Sequence, residues 1–147
     1  MTDAGPGVGG RRQARERALA LLHEAETKNV PPTDVLAELP VAPDPFAADL
    51  VRGVQDHHAE IDGLLRRYAR GWAVERMPAI DRTLLRIGVF ELLHRPDVPP
   101  AVAISEAVEL ANLYSTEDSG RYVNGVLARI ADEERGAAGP DPEVAVT

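Results

Sequence analysis

Between residues 11 and 131 apolar side chains recur every three or four positions, the period of a helix with one buried face. No stretch alternates apolar and polar residues as a half-buried strand does, so the expected fold class is all-α. The first predicted helix covers Arg11 to Lys28, with Ala14, Ala18, Leu21, Leu22 and Ala25 on one face. After "NVPP" a short helix, Asp34 to Glu38, is broken by "PVAPDP". Asp44 then caps a long helix, with Pro45 at its first position, where a missing N–H costs nothing. Phe46, Leu50, Val54, Ile61, Leu64, Leu65 and Tyr68 share one arc of that helix, and Asp49, Arg52, Asp56, Glu60 and Arg67 lie opposite.

A helix from Pro78 to His94 carries two apolar stripes: Ile80, Leu84 and Ile87 on one, Leu85, Val89 and Leu92 on the other. Two stripes mean packing on two sides, so this helix should be central. "RPDVPP" ends it, because a residue before proline avoids helical angles. The following helix, Pro100 to Tyr114, is expected to bury Ile104, Ala107, Val108 and Ala111 and to turn Ser105, Glu106, Glu109 and Asn112 outward. "STEDS" offers several caps for a last helix that buries Val123, Val126, Leu127 and Ile130.

Both ends lack this period. Residues 1–10 are expected to be a loose arm, 11–131 one helical domain, and 132–147 an acidic tail without fixed structure. A chain of 147 residues suits a single domain with a sizeable core, and 44% apolar against 4% aromatic residues makes that core aliphatic. Cysteine is absent, which excludes disulfides, thiolate metal sites and a cysteine nucleophile and fits a reducing compartment. No signal-peptide-like stretch opens the chain and no run of about eighteen apolar residues occurs, so a cytoplasmic protein with no membrane partner is expected.

Charge changes the picture at one place. The formal net charge is −8, yet "RRQARER" sets Arg11, Arg12, Arg15 and Arg17 against Glu16 alone. At 100° per residue Arg11, Arg12 and Arg15 share a sector of about 100°, with Arg17 on the other flank of the apolar stripe. A helix N-terminus carries partial positive charge and favours acids, so three guanidinium groups projecting there oppose a local rule. Free N–H groups plus arginine forks suit phosphate. Charge alone reads equally well as a solvated face. Near the other end Asp118, Tyr122 and Arg129 fall in one narrow sector beside the apolar stripe, where an aromatic plane among donors and acceptors can stack an unpaired base. Taken alone, Tyr122 reads more simply as core packing.

"GRRQARERALALL", "RTLLRIGVFELLHRPDVPPAVAISEAVELAN" and "STEDSGRYVNGVLARI" together resemble the basic first helix, central helix and C-terminal signature of the NusB family of bacterial transcription antitermination factors. The resemblance covers about residues 10 to 131 and implies a single-domain bundle of about seven helices. It implies an RNA ligand, the single-stranded boxA element of ribosomal RNA transcripts, and a protein partner, the ribosomal protein NusE, within the RNA polymerase antitermination complex. It places RNA contacts at Arg11, Arg12, Arg15, Asp118 and Tyr122, a partner contact at Asp81 with His23 near it, and structural roles at Asn124 and Gly125. Ser105 and Tyr122 stand where relatives commonly carry Asn and Phe; a tyrosine keeps the stacking plane. Oligomeric state varies in the family, and a homodimer could cover the arginine face. Arg66, Arg67 and Arg70 are left outside the site.

Two other readings compete. One is an interaction scaffold that docks the first helix on an acidic protein without binding RNA. The other is an enzyme, and the sequence offers it little. His57 and His58 point about 100° apart and do not form an i, i+4 metal pair. Glu91 sits among Ile80, Leu84 and Ile87 without a partner acid, base or nucleophile, and is expected to be a buried structural carboxylate. No Gly-rich strand-turn-helix is present for a nucleotide, so neither catalysis nor a metal or cofactor is expected.

Overall fold

The computed structural model describes residues 8–135. Among them are seven α-helices, a 3₁₀ turn at Val74–Arg76 and a π-helical turn at Ala131–Arg135, with no strand. None of these helices is long and apolar enough to cross a membrane. The described residues fall into two compact units, 8–59 and 60–135.

In the first unit α1 (Val8–Lys28) packs on α2 (Pro32–Ala37) and α3 (Pro45–Asp56). Ala14, Ala18, Leu21, Leu22 and Ala25 are all buried, the stripe their spacing predicts. α1 ends in a Schellman motif: Asn29 takes a left-handed φ of 58°, Val30 N–H bonds Ala25 O at 3.0 Å and Asn29 N–H bonds Glu26 O at 3.1 Å. α3 starts as expected, with the Asp44 carboxylate accepting from Phe46 N–H at 2.7 Å and Pro45 in the first turn. Thr33 N–H donates to the Gln55 side chain at 2.9 Å and ties the start of α2 to α3.

The single long helix expected from Asp44 onward is two. α3 ends at His57, with φ −110° and ψ 24°, and α4 (His58–Tyr68) begins one residue later, where the chain passes between units. Neither glycine nor proline marks the break, and a one-residue interruption barely disturbs the phase of the arc, so the pattern concealed it.

In the second unit α5 (Ala79–His94) packs on both α6 (Pro100–Tyr114) and α7 (Glu117–Ile130), as its two stripes predict. Leu84, Leu85, Ile87, Val89 and Leu92 are buried. Arg86 forks onto Asp62 of α4 with two hydrogen bonds of 2.8 Å, a pair sunk in the protein. α6 has the predicted bounds but a different inner face: Ala103, Glu106, Ala107, Leu110 and Ala111 are buried, and Ile104 and Val108 lie on its flank. The face is rotated by about 80° from the expected one. Small alanines let α6 approach α7 closely, and at Gly120 a Cβ would collide with the Asn112 side chain. Glu106, expected outside, is carried inward by this rotation.

The ends depart from expectation by a few residues. Val8 to Gly10 already belong to α1, and residues 131–135 extend α7 as the π turn instead of opening the loose tail. Tyr68 donates to Glu134 at 2.6 Å, and Arg135 donates to Val98 O at 3.1 Å. The rest of the arm and tail lies outside the described residues.

Candidate nucleic-acid interface

The basic end of α1 has no acid in its first turn. Its three arginines differ in environment. Arg12 is exposed, Arg11 is half-buried with its guanidinium 4.4 Å from the centre of the Phe46 ring, and Arg15 is only 3% exposed, 5.1 Å from that same centre. The expected projection of all three is therefore corrected at Arg15. At 100° per residue Arg15 falls between Leu22 and Leu19, both buried, and a guanidinium there gains more by stacking on an aromatic face than by reaching water. Phe46, which the sequence marked only as an apolar residue, thus gathers two cations.

The aromatic surface lies in the second unit. Thr116 caps α7, accepting from Ser119 N–H at 3.0 Å. Asp118 in the first turn is exposed and pairs with Arg121. One turn further, Tyr122 is half-buried and meets Trp72 edge to face, with ring centroids 5.2 Å apart and planes at 85°. Its hydroxyl is buried without a hydrogen-bond partner. Burial pushes the phenol above its ordinary pKa and the negative charge of Asp81 adds to this, while Arg129 pulls the other way. Arg129 itself donates to Tyr68 O at 2.7 Å. Trp72 escaped the sequence reading because it stands in a loop outside every apolar stripe; the signal available was a lone tryptophan in "RGW".

Asp81 is fully buried, where a partner-facing carboxylate was expected at a surface. Ser119 donates to its Oδ2 at 2.7 Å. Because the one Ser119 proton goes to Asp81, Ser115 and Thr116 donate to the Ser119 oxygen, at 2.9 and 3.1 Å. Three hydroxyls thus point toward one carboxylate, fixing the first turn of α7 on α5. The burial was legible: Asp81 shares a helical face with Leu85, Gly88 and Leu92, and Ser119 with Val123, Val126 and Ile130. His23 is half-buried in α1, its Nδ1 without a hydrogen-bond partner. Of the acid-base suspects, Glu91 is buried, His58 is exposed and His57 forms the C-cap of α3.

Known proteins similar to this chain are numerous. A family model described as the NusB family matches residues 12–132. The transcription antitermination protein NusB of Kineococcus radiotolerans is 49% identical over 126 residues, covering 83% of this chain and 93% of that protein. That of Salinispora arenicola is 50% identical over 129 residues, covering 83% and 95%. Among solved structures, T. maritima NusB superimposes with a TM-score of 0.78 at 34% identity, over 87% of this chain and 94% of the other. A crystal structure of antitermination factors NusB and NusE in complex with dsRNA gives a TM-score of 0.73 at 26% identity, over 86% and 98%. Matched along most of its length by family model, sequence relatives and solved structures alike, the chain belongs to the NusB family.

Proposed function

We propose that this chain is a non-catalytic RNA-binding transcription antitermination factor. Its ligand is single-stranded boxA RNA of ribosomal RNA transcripts, which it takes together with the ribosomal protein NusE, as part of the RNA polymerase antitermination complex in the cytoplasm. The names of its relatives, and a structural neighbour that holds NusE and RNA, support this. The observation that carries it is the start of α1: Arg11, Arg12 and Arg15 at a helix N-terminus with no acid in its first turn, in a chain of net charge −8.

No bond is made or broken. Arg12 reaches phosphate directly, and Arg11 and Arg15 add positive potential from the Phe46 ring. Tyr122 supplies a plane for a base, and the Asp118 carboxylate accepts from base-edge amino groups. His23 and Asp81 serve the protein partner, Asp81 from inside, by holding the first turn of α7 through Ser119. Overall acidity disfavours indiscriminate nucleic-acid binding and leaves affinity to the local patch.

The test is binding of a labelled boxA oligonucleotide, single-stranded and as a matched duplex, with and without NusE at two salt concentrations. Tighter binding of the single strand with NusE, weakened steeply by salt, is expected. Association with NusE but with neither RNA at either salt would replace this function by the scaffold.

A further inference from the structure

The loop between α4 and α5 carries the chain's one tryptophan, and the proposed function does not use it. Trp72 is 40% exposed, an unusual place for the largest apolar side chain. The loop around it is held firmly. Gly71 takes a φ of +87°, which only glycine adopts cheaply. Val74 and Met77 are buried, and Arg82 donates to the carbonyls of Met77 at 2.9 Å and Val74 at 3.3 Å. Trp72 is therefore presented by an anchored segment, against Tyr122 at 5.2 Å and 85°. In an edge-to-face pair the ring that offers its edge keeps both of its faces clear of the other, so the pair forms a corner with a flat aromatic surface still available.

The charges around this corner select the ligand. Arg66 is paired with Glu75, Arg67 with Glu134 and Arg121 with Asp118. Among the described residues Arg129, two helical turns after Tyr122 on the same face, bonds only the neutral carbonyl of Tyr68, and Arg70 is exposed with no side-chain partner. Among the described residues neither arginine is paired with a carboxylate; Arg129 acts on Tyr122 and Arg70 stands two residues before Trp72, so positive charge accompanies a part-exposed aromatic pair, the combination that holds single-stranded nucleic acid by base stacking and phosphate contact.

We infer that Trp72 is a base-stacking residue of the RNA interface, forming with Tyr122 a corner for one unpaired nucleobase whose adjoining phosphates meet Arg70 and Arg129. This rests on the RNA-binding function proposed above.

Because Trp72 is the sole tryptophan, its fluorescence reports this corner alone. The full chain is titrated with the single-stranded boxA oligonucleotide and with its duplex, following tryptophan emission, while anisotropy of labelled RNA measures affinity independently. Saturable quenching by the single strand is expected at the midpoint seen by anisotropy, with little change on adding the duplex. Trp72→Ala should weaken single-strand binding about tenfold, and Trp72→Phe, which keeps a plane, should recover most of it. If RNA binds by anisotropy but emission does not change and Trp72→Phe and Trp72→Ala bind as wild type does, the inference fails and the RNA-binding function stands. If wild type binds neither RNA even with NusE added, both fail. A misfolded Trp72→Ala protein, detected by circular dichroism, leaves the decision with the wild-type quench and with Trp72→Phe.

Discussion

The two helices that carry the proposed RNA contacts begin in opposite ways. α7 follows the local rules: Thr116 caps it, Glu117 and Asp118 complement its dipole, and Ser119 is tied to a buried carboxylate. α1 has no acid in its first turn, which ends with Arg11, and two more arginines follow in the next turn. The Phe46 ring takes Arg11 and Arg15, and Arg12 is exposed. The two starts differ in what they present: the start of α7 is tied inward through Ser119 to a buried carboxylate, and the start of α1 presents an exposed arginine, the group the proposed function assigns to phosphate.

Changes on the two sides should therefore separate stability from binding. The largest stability loss is expected away from both starts, from Arg86→Ala, which removes the two-bond fork on the buried Asp62 carboxylate and should cost about 3–5 kcal/mol in urea unfolding. Arg15→Ala comes next. If this arginine works mainly through its stack on Phe46, thermal unfolding should show a loss of about 2 kcal/mol; unchanged stability would place Arg15 with Arg12 as a purely external contact. Thr116→Ala should lose about 1 kcal/mol, the ordinary value of a helix cap, and a much larger loss would mean that the hydroxyls around Asp81 act as one unit.

The smallest effect is expected at Tyr122→Phe, which removes a buried hydroxyl without a partner and should leave stability at neutral pH unchanged or slightly raised. It should also alter the alkaline limb. A phenol whose pKa is raised by folding favours the folded state below about pH 10, the unfolded value, and that contribution is lost as pH rises through the folded pKa. Wild type should therefore destabilise above about pH 10 more than the Phe variant does, and parallel pH profiles from the two proteins would contradict this.

Sequence reading succeeded where one physical signal dominated. The helix read from Pro100 to Tyr114 is α6 with those bounds, and the aliphatic stripe of α1 is buried as expected. It failed where packing chose between similar options. In α6, Ile104 and Val108 looked like the inner face, but Ala103, Ala107 and Ala111 permit the closer approach to α7 and Glu106 turned inward with them. At His57 the helix breaks close to the boundary between the units, with neither glycine nor proline to announce it. Of the candidate site, helical period and charge led to Arg12, Asp118 and Tyr122, and the first two are exposed and the third half-buried. The burial of Arg15 was not, because it depends on Phe46, some thirty residues away. Trp72 required the tertiary contact with Tyr122.

The claim that the basic start of α1 binds RNA is tested most directly at Arg12→Glu, measuring RNA affinity across a salt series alongside thermal stability. Arg12 is exposed, so the melting temperature should change little, while affinity should fall at least tenfold and the salt dependence should flatten by about one phosphate contact. Undiminished affinity with an unchanged salt slope would contradict the account.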